Sequence, residues 1–178
     1  MADTRLTSQE WLFAGFDALV TQGPQALKAE ALARQLGTTK GSFYWHFKDI
    51  PTFRNQVIDL WAEQALSGFI RHLSTEAIPP LQLRRLGQPP APTTPLGTAS
   101  TEAAMRGWAQ SDHTVADVIA KIDTQRTAHI ADLLRQLDVT DPSFATLVYG
   151  AWVGMHMQNQ AEISQPMETL IDLILALR

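Results

Sequence analysis

The residues with most chemistry to offer crowd into one short stretch, where Lys40, Ser42, Tyr44 and His46 follow one another with Gly41 between the first two. A hydroxyl, a phenol and an imidazole on neighbouring turns are donors suited to phosphate oxygens. An ammonium near the positive end of a helix reaches either a phosphate or a base edge. Gly41 has no side chain and lets backbone approach backbone. The charge distribution agrees: residues 28–54 hold Lys28, Arg34, Lys40, Lys48 and Arg54 against Glu30 and Asp49, whereas residues 55–178 hold eight basic and thirteen acidic residues. An acidic body with one small basic patch differs from a uniformly acidic chain, although the net charge is only −4.

Other chemistries find less support. The 178 residues include no Cys, which excludes a disulfide scaffold, a thiolate metal site and a Cys nucleophile. No pair among His72, His113, His129 and His156 has the three- or four-residue spacing of helical metal ligands. No Ser/His/Asp order and no phosphate-binding Gly-rich pattern occurs, so neither an enzyme nor a cofactor is expected. No apolar run approaches the ~18 residues of a membrane span, and the start, MADTRLTSQEW, lacks a signal-peptide layout. A cytoplasmic chain without membrane association is the expectation.

The elements that must position the basic stretch read as helices throughout. Thr7 with Glu10 fits a capping box, followed by Leu12, Phe16, Leu19 and Val20 at helical spacing and closed by Gly23-Pro24. A short helix spans Ala29 to Leu36, with Leu32, Ala33 and Leu36 inward and Gly37 in the turn. Thr38-Thr39 can cap a third helix whose inward residue is Phe43. Asp49 with Pro51 opens a fourth, striped by Phe53, Val57, Leu60, Trp61, Ala65 and Phe69. Six of the ten prolines lie between Pro79 and Pro95; Leu81–Leu86 allows about two turns, and 87–99 reads as an irregular loop. Helical signal returns at Ala104, Met105 and Trp108, runs on from Asp112 to Leu137 as one helix or two, and restarts at Asp141-Pro142 and at Pro166. Without period-two alternation or hairpin signals, the fold class is all-α.

Two short helices around a Gly-containing turn, the second polar and basic outside, are the layout of a helix-turn-helix. Leu32 and Leu36 must pack on the first helix so that the exposed face of the third can enter a major groove. The run Gly37-Thr-Thr-Lys-Gly-Ser-Phe-Tyr-Trp-His-Phe-Lys48, preceded by Ala31-Leu32-Ala33 and followed by a long helix, closely resembles the N-terminal domain of TetR-family transcriptional regulators over about residues 7–61. The resemblance implies a homodimeric repressor with an N-terminal helix-turn-helix DNA-binding domain, here 1–49, and a C-terminal helical effector-binding and dimerisation domain, 50–178. It implies that Thr39 and Lys40 face bases of a palindromic double-stranded operator, while Thr38, Ser42, Tyr44, Trp45, His46 and Lys48 hold the backbone. This chain departs from the family pattern at Lys28, where Thr is common, at Glu30, and at Ile50, where Lys is common. Glu30 either pairs with Arg34 within its helix or accepts from a base. A second reading follows from those departures: an adaptor or ligand-binding protein that keeps the fold without specific DNA binding.

The helix after Pro142 is apolar on two sides, with Phe144, Leu147, Val148, Ala151, Trp152 and Met155 on one and Gly150, Val153, Gly154, Met157 and Ala161 on the other. A helix apolar on two sides must be covered on two sides. A homodimer seam is therefore expected at Gly150, Val153, Gly154 and Met157, with Ile130 and Leu134 from the preceding helix. Trp61, Phe69, Met105, Trp108, Trp152 and Met155 lie on inward stripes of different helices, a mix suited to a small apolar or aromatic effector. Arg126 and His129 interrupt an aliphatic stripe; they orient a polar group of that effector, satisfy a core carboxylate, or serve the seam.

Overall fold

The computed structural model describes residues 6–89, 99–158 and 163–176. The described chain is all-α, without a strand among the described residues. Helix α1 (Ser8–Gln22) begins at the capping box: Thr7 Oγ1 accepts from the Glu10 amide at 3.3 Å and Glu10 Oε2 accepts from the Thr7 amide at 2.7 Å. Trp11, Phe16 and Leu19 face inward, whereas Val20 lies outside the apolar stripe, on the exposed side. After a 3₁₀ turn at Pro24–Ala26 come α2 (Ala29–Gln35) and α3 (Lys40–His46), then the long α4 (Ile50–Leu73). Asp49 caps α4, its Oδ1 accepting from the Thr52 amide at 2.8 Å.

Pro79 and Pro80 open a short α5 (Pro79–Arg84), which tightens into a 3₁₀ turn at Arg85–Gly87. Of the expected loop at 87–99, residues 90–98 lie outside the described residues, as does Ala161, and Ala99 already begins α6 (Ala99–Ala109). The pattern after Asp112 is one helix, α7 (His113–Arg135), followed by α8 (Pro142–Met157) and α9 (Ser164–Leu175).

Two apolar clusters organise these helices. The first gathers Trp11, Phe16, Leu32, Phe43, Phe47 and Phe53 with Trp61, Met105, Trp108, Val115 and Ile119. The second gathers Phe69, Leu73, Leu83, Ile130, Leu133, Leu134, Val148, Met167 and Ile171. Both α4 and α7 run through both clusters, and packing carries across residue 49 without a break. At 24 residues, α4 is about 36 Å long. It places Phe53 in one cluster and Phe69 in the other, so a single helix spans both. Gly15 sets the contact at its first turns, since a Cβ there would stand 2.7 Å from Phe53 Cζ.

Candidate nucleic-acid interface and the buried network behind it

The helix-turn-helix is built from a few local decisions. Leu32 and Ala33 bury one side of α2. Gly37 adopts φ +64°, the left-handed conformation that a glycine takes without strain, and the chain turns so that the Thr38 amide donates to Ala33 O at 2.9 Å. Thr39 caps α3, its Oγ1 accepting from the Ser42 amide at 3.3 Å. Phe43 is fully buried, edge-on to Trp11 at 5.3 Å and to Phe53 at 5.2 Å, with Phe47 at 5.1 Å. These contacts fix the roll of α3 about its axis.

With Phe43 and Phe47 inward, the opposite face must be outside. Tyr44 is 46% exposed and Trp45 76%, very large values for aromatic side chains of a folded chain. Thr39, Lys40 and Lys48 are exposed, and Thr38, Ser42 and His46 are half-buried. His46 differs from its expected use in one respect: its Nε2 is buried, without a hydrogen-bond partner among the described residues, so that nitrogen does not face outward. Lys40 Nζ donates to Glu30 Oε1 and sits 5.8 Å from the Tyr44 ring centroid. The Glu30 partner is thus neither Arg34 nor open solvent. The hydrogen bond lowers the Glu30 carboxyl pKa and raises that of the Lys40 ammonium, so both are charged at neutral pH.

The residues expected to line an effector cavity divide between the two clusters. Trp61, Met105 and Trp108 belong to the first, whereas Phe69, Trp152 and Met155 belong to the second. Trp152 stacks on Tyr149 at 5.8 Å, lies edge-on to Phe69 at 5.4 Å and touches His156 at 4.4 Å. Arg126 stands between the clusters with 3% exposure. Its guanidinium lies over the Phe69 ring at 5.3 Å and the Trp152 ring at 5.4 Å.

Arg126 satisfies a core carboxylate. Its Nη1 donates to Glu102 Oε1 at 3.1 Å and its Nη2 to Glu102 Oε2 at 3.2 Å and to Ala65 O of α4 at 2.9 Å. Glu102 also accepts from Arg106 Nε at 2.9 Å, and Arg106 makes a bidentate pair with Asp123 at 2.6 and 3.0 Å. The Tyr149 hydroxyl donates to Asp123 Oδ1 at 2.6 Å. Burial opposes ionisation of Asp123, yet the bonds from Arg106 and Tyr149 outweigh it and hold the carboxyl below its usual range. Burial, reinforced by the bond to Asp123, pushes the Tyr149 phenol up to about 12. Two cations and two carboxylates thus compensate one another where α4, α6, α7 and α8 meet.

Sequence reasoning missed Glu102, Arg106, Asp123 and Tyr149. The available signals were the i,i+4 spacing of Glu102 and Arg106 and a buried arginine's need for an acid. Among the described residues, two buried nitrogens here have no hydrogen-bond partner, Arg126 Nε and His129 Nε2. A cleft of about 460 Å³ opens between α7 and α8, reaching Asp123 and lined by Thr127, Ala131, Ala145 and Thr146.

Ile130 and Leu134 are buried in the second cluster within their own subunit. They have no surface left for a partner, which corrects their place on an expected seam. Leu147 also changes sides: it is 58% exposed, on the face of Gly150, and Tyr149 takes the inward position. Around Gly150 and Gly154 an added Cβ would meet nothing within 4 Å among the described residues. Val153 and Gly154 are half-buried, and Met157 is exposed.

Residues 12–50 match the family of bacterial regulatory proteins, tetR family. No curated protein matches the sequence. Among solved structures, the chain is similar to a regulator assigned to the TetR family from Rhodococcus sp., with a TM-score of 0.74 at 16% identity over 94% of this chain and 98% of that one. It is similar to a transcriptional regulator from Saccharomonospora viridis in complex with choline, with a TM-score of 0.73 at 15% identity over 95% of each chain. A third is the TetR-family transcriptional regulator PfmR from Thermus thermophilus, with a TM-score of 0.59 at 14% identity over 93% of this chain and 97% of that one. At these identities the likeness is one of fold, and it extends over 93–95% of this chain. Among the described residues, no helix is long and apolar enough to cross a membrane.

Proposed function

From a TetR-family segment at residues 12–50 carried on the fold of TetR-family transcriptional regulators, we infer that this protein binds a palindromic DNA operator as a homodimer and is released from it by a small organic effector. The observation that carries the reading is the outer face of α3. Lys40, Tyr44 and Trp45 are turned out by an inward Phe43 that Trp11 and Phe53 hold in place. Large aromatic rings held in water are costly until another surface covers them, and a phosphate backbone provides acceptors for the donors beside them.

Two half-sites about one helical turn apart require two copies. The surface that supports this is the outer side of α8, with Leu147 and Met157 exposed and open space over Gly150 and Gly154, beside α9, where Leu173 is 62% exposed. The effector reading rests on the end of the buried network at Phe69, Trp152 and His129, where Arg126 Nε and His129 Nε2 are buried without a hydrogen-bond partner among the described residues. The Saccharomonospora viridis relative takes choline. Here a guanidinium already occupies the faces of Phe69 and Trp152. A ligand with an apolar body and a hydrogen-bond acceptor fits this chain better than a second cation. Because Arg126 holds α4 at Ala65 O, a ligand that engages Arg126 shifts α4 and with it the spacing of the two α3 helices.

The experiment is selection from randomised duplexes at low salt, followed by a salt titration of the selected site with the full-length chain. Lys40→Ala should weaken binding and, if its target is a phosphate, flatten the salt dependence by about one unit. If no duplex is selected, the chain has kept the fold without the DNA function. Effector candidates are then screened by tryptophan quenching with and without operator. A compound that binds both forms equally releases nothing.

A further inference from the structure

Glu30 projects from the first turn of α2 and Lys40 from the start of α3, ten residues apart in sequence, and their charged ends meet on the exposed face that presents Tyr44. Both side chains are about half or more exposed, so the pair lies at the surface rather than in the core. We propose that Glu30 and Lys40 act as one reading head for a G·C base pair, with Glu30 a specificity-determining residue. This rests on the DNA-binding function inferred above.

The argument is one of matching donors and acceptors. In the major groove a guanine presents N7 and O6, two adjacent acceptors, and its cytosine presents the N4 amine donor beside them. An ammonium held against a carboxylate presents the complement: Lys40 donates to N7 and O6, and Glu30 accepts from N4. An A·T pair serves the pair less well, because the adenine amine separates its acceptors N7 and O4 and the thymine methyl stands alongside. A lone Lys would donate to any phosphate within reach. A carboxylate beside it opposes that use, since phosphate repels Glu30 while a cytosine amine attracts it.

The Tyr44 ring, 5.8 Å from Nζ, flanks Lys40 on its own helix and limits the directions in which the ammonium can swing. The head is thus restrained before DNA arrives, and less side-chain freedom remains to be lost on binding. The cost is a weaker grip on arbitrary DNA, because Lys40 is partly neutralised until the right base pair replaces part of its bond to Glu30.

The test selects half-sites from randomised duplexes with the full-length protein and with its Glu30→Ala, Glu30→Gln and Lys40→Ala variants. Salt titrations on the selected and on an unrelated duplex follow. All three variants alter exposed side chains, and circular dichroism checks that they stay folded. The wild-type chain should select G·C at one fixed position of each half-site, with other pairs there about tenfold weaker. Glu30→Ala and Lys40→Ala should each flatten that position and leave the others sharp. Glu30→Ala and Glu30→Gln should also bind the unrelated duplex more tightly, with a salt slope steeper by about 0.9 as Lys40 is freed for phosphate.

Selection of A·T at the position that the variants flatten would overturn the proposal. So would a Glu30→Ala chain whose affinity changes equally for every sequence, since Glu30 would then only modulate charge. Failure of the wild-type chain to select any duplex is a different result, and it removes the regulator reading together with this one.

Discussion

Replacing Arg126 by Met tests whether the buried network holds the C-terminal helices to α4. Arg126 is 3% exposed, so its interactions are not screened by solvent. The substitution removes its bonds to Glu102 and the bond to Ala65 O, while the Met side chain keeps aliphatic contact with Phe69 and Trp152. Removing one partner of a buried pair costs about 3–5 kcal/mol when the other is left alone. Glu102 is not left alone, because Arg106 still donates to it at 2.9 Å. The expected loss is therefore nearer about 2–3 kcal/mol. For a chain of this size that lowers Tm by roughly 4–12 °C. The assay is urea and thermal denaturation followed by circular dichroism and tryptophan fluorescence, run beside Glu102→Gln and the double variant. The double variant should cost less than the sum of the singles by about 1 kcal/mol or more, since each single loses the same pair. A single variant within about 0.5 kcal/mol of the parent, or strictly additive singles, would refute the coupling.

Three further outcomes are expected. Gly15→Ala gains about 1 kcal/mol of helix propensity, but its Cβ would stand 2.7 Å from Phe53 Cζ, and Phe43 and Phe47 block that ring's retreat. Overpacking of about 1–3 kcal/mol should leave the variant about 1 kcal/mol less stable in a denaturation curve, and a more stable variant would show the contact to be yielding. Gly154→Glu meets open space within the subunit, so it should leave the fold intact while light scattering reports monomers and operator binding is lost. A full-affinity dimer would place the seam elsewhere. The Tyr149 phenol has its folded-state pKa raised from 10.0 to about 12, so its contribution is fully present below pH 10 and is lost as pH rises toward 12. Stability should fall by about 2–3 kcal/mol over that range, and Tyr149→Phe should remove this part of the alkaline loss.

Much of the architecture was legible in the sequence because the relevant signals are local. Thr7 with Glu10, Asp49 with Pro51, Asp112 and Asp141 each cap the helix that they announce, since an N-cap acts within three residues of itself. The helix-turn-helix was legible for the same reason: Gly37 must turn, Thr39 must cap, and an inward Phe43 leaves Lys40, Tyr44 and Trp45 outside. What those cues do not carry is which distant residues meet. Nothing in the periodicity of α7 says that Arg126 lies against Glu102 across 24 residues, or that Ile130 and Leu134 spend their apolar surface inside the subunit. The apolar series of α8 is nearly continuous, so sequence could assign two covered faces without knowing that Leu147 turns outward and Tyr149 inward. Likewise Glu30 had a ready partner four residues away in Arg34, and only the packing of α2 on α3 gives it Lys40 instead. Helix starts are decided by hydrogen bonds within one turn, whereas pairings of charge and the roll of a helix are decided by what the rest of the chain leaves room for.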